Sequence, residues 1–102
     1  MKQEAVISKC GKYRYSLNRE WNKDKKKVLF IMLNPSKADD KIDDPTVKRC
    51  ICFAKNWGFG GLMIGNLFAY RTTYPKELFK IKNPIGEDNL KFLKRMIKSS
   101  NL

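Results

Sequence analysis

At 102 residues, 42% hydrophobic and 12% aromatic, the chain is long enough for one folded domain, residues 1–102, and no more. It contains no histidine, which excludes Ser-His-Asp and Cys-His catalysis and HExxH metal sites; a general base must be Asp, Glu, Lys, Tyr or a water held by Asn. Lys and Arg number 22 against 10 Asp and Glu, a net charge of +12 spread over both halves, so the surface should attract a polyanion, nucleic acid above all.

Nothing in the chain approaches the ~20 consecutive apolar residues of a membrane-spanning helix, and the N-terminus carries no signal-peptide pattern. A cytoplasmic protein without a membrane partner is the expectation. Cys10, Cys50 and Cys52 lack framework spacing and read as reduced thiols. Cys50-x-Cys52 is too close for a usual zinc pair, and neither a metal nor a cofactor is expected. The cluster Asp39, Asp40, Asp43 and Asp44 could attract Mg²⁺, but capping a helix and balancing nearby lysines explain it more simply.

In chain order, Ala5–Lys9 and Tyr13–Leu17 predict a short hairpin around Gly11, with 18–27 a charged connection. Val28–Leu33 is apolar at every position, which predicts a strand buried on both faces. Asp44-Pro45-Thr46 opens a helix, Asp44 as cap and Pro45 at the first helical position. Val47, Cys50, Ile51, Ala54 and Trp57 recur at helical spacing, with Lys48, Arg49, Lys55 and Asn56 turned outward. Gly58 ends that helix, and Leu62–Phe68 predicts a second buried strand. Strand, helix and strand in about forty residues make a βαβ unit with parallel strands and a right-handed crossover. Pro84 and Glu87-Asp88 start a final helix presenting Leu90, Leu93 and Ile97 on one face. Phe53, Trp57, Phe68 and Phe92 are expected to pack in the core. The fold class is therefore α/β, a small parallel or mixed sheet flanked by helices.

Ligands bind open α/β sheets at the carboxyl ends of the strands. Asn34-Pro35-Ser36 stands at one such end, and Asn66 with Tyr70-Arg71-Thr72-Thr73 at the next. If the strands are neighbours, Asn34, Ser36, Asn66, Arg71 and Thr72 line one crevice. Tyr70 and Tyr74 are placed to stack on bases, and Lys25, Lys26 and Lys27 to meet phosphate. The plainer readings are a strand-ending turn and solvated lysines, which far outnumber the arginines better suited to gripping phosphate.

The run Leu33-Asn34-Pro35-Ser36-x-Ala38, then Asp44-Pro45-Thr46, Arg49-Cys50, Phe53-Ala54, Trp57-Gly58, Gly60-Gly61 and Asn66-Leu67-Phe68-Ala69-x-Arg71, resembles the bacterial and phage family called domain of unknown function 1643. The likeness covers about residues 12 to 95. Members of that family continue through another strand and a basic motif, which implies that this chain is truncated at its C-terminus. Met32-Leu33-Asn34-Pro35-Ser36 and Asn66–Thr73 also resemble motifs of the mismatch-specific uracil and thymine DNA glycosylases. That likeness implies a glycosylase-like fold in which Asn34 holds the attacking water and Arg71 meets phosphate or a base. No base-extruding wedge loop is readable.

Three readings follow. The first is a nucleic-acid-binding domain of glycosylase-like ancestry, contacting DNA or a nucleotide. The second is a non-catalytic interaction protein of the phage-inhibitor kind, with a protein partner. The third is an N-glycosidic hydrolase acting on a nucleoside or modified base. A homodimer is also expected, because a two-stranded parallel core leaves an open sheet edge.

Overall fold

The computed structural model describes residues 1–99. Strands β1 (Lys2–Ile7) and β2 (Arg14–Glu20) form an antiparallel hairpin whose turn passes through Gly11. Both strands are displaced from the expected spans. β2 runs on through Asn18, Arg19 and Glu20, where the charge pattern predicts a connection. The reason lies in Arg19, fully buried yet ion-paired to Asp43 at 2.8 Å and donating to the carbonyls of Asn18 and Asp39. A charged side chain that finds these partners can stay inside a central strand.

β3 (Lys27–Met32), α1 (Pro45–Asn56) and β4 (Gly61–Asn66) make the expected strand–helix–strand unit, with β3 and β4 parallel. Asp44 caps α1 by accepting from Val47 N–H at 2.9 Å, Pro45 fills the first turn, and Gly58 leaves the helix at φ +85°. All six residues of β4 are buried, because it is central.

The order is β1-β2-β4-β3, with β2 antiparallel to β4. The hairpin therefore pairs with β4 and leaves β3 at the edge of a four-stranded mixed sheet. This corrects both the two-stranded core and the buried strand at 28–33: Ile31 and Leu33 are each 47% exposed.

Leu17, Val28, Leu62 and Ile64 meet Val47, Cys50 and Ala54 of α1 in one core. Burying each such aliphatic side chain contributes roughly 1.5–3 kcal/mol. The other face of the sheet receives α2 (Asn89–Ser99). Gly65 is what lets α2 approach, since a Cβ there would stand 2.7 Å from Leu93 Cδ2 and 2.8 Å from Met96 Cε.

Two packing expectations fail. Leu90 and Ile97 are more than half exposed, because α2 lays Asn89 and Met96 against the sheet instead. Phe53 and Trp57 are also about half exposed. Trp57 stacks on Phe53 and on Phe30 of the edge strand, forming an aromatic layer on the outer flank of the core. Among the described residues no helix is long and apolar enough to cross a membrane.

Candidate ligand-binding cleft

Parallel pairing sets the carboxyl ends of β3 and β4 level, Met32 beside Asn66. The pairing extends past both strands, Leu67 N–H donating to Met32 O and Phe68 N–H to Leu33 O, each at 2.9 Å. The loops that follow are thereby held together. Asn34 Nδ2 donates to Thr72 O at 2.8 Å and to Pro35 O at 3.1 Å, and Thr72 N–H returns to Pro35 O at 2.9 Å. The hydroxyls of Ser36 and Thr73 lie 3.0 Å apart.

Arg71 extends the lacing to the β1–β2 turn. Its Nε donates to Ser36 O, Nη1 to Gly11 O and Nη2 to Lys37 O, each at 3.2 Å. A guanidinium carries five N–H donors, so two remain for a ligand. The expected grip on phosphate is thus at most part of its work: Arg71 chiefly ties its own loop to two others by their carbonyls.

Two recesses open here and share Ser36. One is a shallow basin of about 440 Å³ bounded by Lys12, Lys37, Arg71, Ser36, Thr72 and Thr73. The other is a narrow pocket of about 40 Å³ between the strand ends and α1, with Asn34, Asn66, Asp44, Thr46 and Arg14 in its wall beside Met32, Val47 and Ile64.

Arg14 is the residue that the sequence did not announce. It lies on β2, is 3% exposed, and donates from Nη1 to Ala38 O at 3.1 Å and from Nη2 to Asn66 Oδ1 at 3.3 Å. Burial pushes its guanidinium down to about 10; the Asp44 carboxylate opposes the shift, while Arg71 and Arg19 add to it. A signal was present: arginine is scarce beside lysine in this chain, and only arginine offers a fork able to hold two acceptors at once.

Of the expected site residues, Asn34, Ser36, Asn66, Arg71 and Thr72 come together. Tyr70 does not face the basin as a stacking platform. It is half-buried and meets Tyr13 edge-on at 5.7 Å, in a row that continues through Tyr15 to Phe92. Tyr74 is 69% exposed and free of such packing.

Lys25, Lys26 and Lys27 lie before or at the start of β3, the opposite end from Asn34, about 20 Å away along six residues of strand. Lys27 is also ion-paired to Glu20 at 2.9 Å. The aspartate cluster is occupied structurally. Asp43 pairs with Arg19, and Asp44 accepts from Val47 N–H and Ala38 N–H. The Ile42 and Lys41 N–H groups hold the Asp39 carboxyl below its ordinary value.

The protein of unknown function (DUF1643) family matches residues 14–102. The chain belongs to that family. No curated protein and no solved structure matches it.

Proposed function

We propose that this DUF1643 chain binds nucleic acid, or a nucleotide, in the cleft at the carboxyl ends of β3 and β4. The observation that carries the reading is the chemistry of the basin. Lys12, Lys37 and Arg71 surround it with three hydroxyl side chains, and no carboxylate lines it among the described residues. Cations with hydroxyl donors suit phosphate oxygens, and exposed Tyr74 beside them offers a face for a base. The overall +12 charge would steer a polyanion to it. Lys25 and Lys26 add to that field from the far end of β3 without forming part of the cleft.

Binding of a single-stranded oligonucleotide should fall steeply with salt, because phosphate contacts release counterions. For three contacts the loss between 50 and 200 mM is roughly twentyfold. Affinity unchanged over that range would refute phosphate contact. Glycosylase-like ancestry fits the same cleft. Because both partners of Asn34 Nδ2 are carbonyls, its amide is oriented with Oδ1 free to accept from a water. Release of free base from a nucleoside or DNA would establish the hydrolase reading, and binding without release leaves a binding domain.

A second reading, protein interaction, has its own observation in the edge of β3. Lys26 O accepts from Gly60 N–H and Met32 O from Leu67 N–H, so alternate residues turn the backbone of Leu29 and Ile31 outward. Between Lys27 and Leu33 this edge has no proline and no charge, the devices that normally protect an edge. Apolar side chains flank it on both sides, Trp57 and Phe53 above, Ile31 and Leu33 below. A strand added here must be apolar on both faces, as Val28–Leu33 itself is, so the fitting occupant is the β3 of a second copy. Antiparallel pairing would keep the two Lys27 residues at opposite ends, about 20 Å apart. Sedimentation at rising concentration should show a dimer, and a constant monomer mass would refute it.

A further inference from the structure

Arg14 has one nitrogen with no hydrogen bond at all among the described residues. Nη1 and Nη2 are engaged, but Nε–H has no partner, although the side chain is almost wholly buried. A buried donor without an acceptor is costly and rare, and this one belongs to a side chain that lines the 40 Å³ pocket.

Its neighbour adds a second donor. Arginine can only donate, so its bond to Asn66 fixes Oδ1 on the arginine side and leaves Asn66 Nδ2 as the remaining arm of the amide. That nitrogen makes no hydrogen bond among the described residues, and Asn66 as a whole is 2% exposed. The one carboxylate in the wall, Asp44, makes no hydrogen bond to either donor. Both oxygens of Asp44 already accept, from Val47 N–H and from Ala38 N–H. The pocket therefore combines two unpaired donors, one cationic, with room for little more than a single small group.

We infer that the Arg14–Asn66 pocket takes one oxygen acceptor of the ligand, held by Arg14 Nε–H and Asn66 Nδ2, while the rest of the ligand lies in the adjoining basin. The oxygen is either a carbonyl oxygen of a base or a terminal phosphoryl oxygen. The ligand class rests on the nucleotide reading above; the donor arrangement does not. Arg14 and Asn66 would then be specificity-determining residues at the closed end of the cleft, with Lys12, Lys37 and Arg71 supplying charge at its open end.

The test uses the full chain, labelled with ¹⁵N, and follows the Arg14 Nε–H resonance together with the backbone amides of Lys12 and Lys37. The probes are inorganic phosphate, uridine, whose base carries carbonyl oxygens, and adenosine, whose base has none. Movement of the Nε–H signal with phosphate supports the pocket and assigns the oxygen to a phosphoryl group. Movement with uridine but not adenosine supports it and assigns a base carbonyl. Equal movement with both nucleosides and none with phosphate overturns the assignment of the oxygen, and with it the inference. A signal unmoved by every probe while Lys12 and Lys37 shift means a structural water only; the pocket inference falls and the nucleic-acid reading stands. If no resonance moves, both fall. The variant Arg14→Lys keeps the charge and removes the Nε fork, and it should weaken binding of the supporting probe about tenfold, the loss of one charge-assisted bond. The wild-type titration decides the question even if that variant fails to fold.

Discussion

The two ends of β3's surroundings are built on opposite principles. At its carboxyl end, backbone carbonyls from three loops are gripped by side chains: Arg71 holds three, Asn34 two, and Arg14 one together with the Asn66 amide. Along its outer edge, the backbone of Leu29 and Ile31 is left open and the flanking side chains are apolar. The first region is polar and densely hydrogen-bonded. The second is an edge strand with apolar flanks. Ordered polar groups set direction and cost little reorganisation when a ligand arrives, whereas an edge recognises any chain of suitable pattern. On the reading proposed above, selectivity resides in the loops and association in the edge.

The largest expected effect comes from dismantling the lacing. Arg14→Leu leaves Ala38 O and Asn66 Oδ1 without their donor and should cost on the order of 3 kcal/mol. Denaturant unfolding would show it as a lowered midpoint at unchanged slope; a loss below about 0.5 kcal/mol, the level of an ordinary surface change, would show that Arg14 does not organise the cleft. Asn34→Ala should cost about 1–2 kcal/mol through its two carbonyl bonds. Hydrogen exchange should locate that loss in residues 70–74, and a loss spread through β4 would break the comparison. Ile31→Lys, by contrast, should leave monomer stability within about 0.5 kcal/mol while preventing self-association at the edge.

The smallest effect is electrostatic and concerns the loop before α1. The Asp39 carboxyl is held below its ordinary value by the Ile42 and Lys41 N–H groups. Its contribution to stability is present above the unfolded value of 3.8 and is lost as the pH falls through the lower, folded value. Protection of the Lys41 and Ile42 amides, measured against their intrinsic exchange rates, should therefore fall on acidification below pH 4, ahead of global unfolding. Protection there that is unchanged by acidification would remove Asp39 from the account.

Much of the scaffold is legible in the sequence. Asp44-Pro45 and Gly58 delimit α1 because capping and backbone freedom are local properties. The convergence of Asn34, Ser36, Asn66, Arg71 and Thr72 follows from parallel pairing alone. Strand order is not legible. An all-apolar run signals a buried strand whether it ends up central, like β4, or at an edge beside aromatic and aliphatic neighbours, like β3. Arg19 and Arg14 are hidden for a related reason: a buried arginine looks like a surface one until its acceptors, 20 to 52 residues away, are in place. Lys25–Lys27 adjoin the site's strand in sequence yet sit at its far end. On α2 the apolar face is chosen by Gly65 and Met96, not by Leu90 and Ile97.

The central claim is that the basin at the strand ends, and not diffuse positive charge, binds nucleic acid. Fluorescence anisotropy of a labelled single-stranded oligonucleotide at 100 mM salt tests it with two charge reversals of equal size, Lys12→Glu with Lys37→Glu against Lys25→Glu with Lys26→Glu. The cleft pair should lose affinity by at least about tenfold more than the loop pair, because abolishing direct phosphate pairing at a site costs more than weakening a field already screened by salt. Equal losses from the two pairs would contradict the claim and leave the basic surface as a whole as the binding determinant.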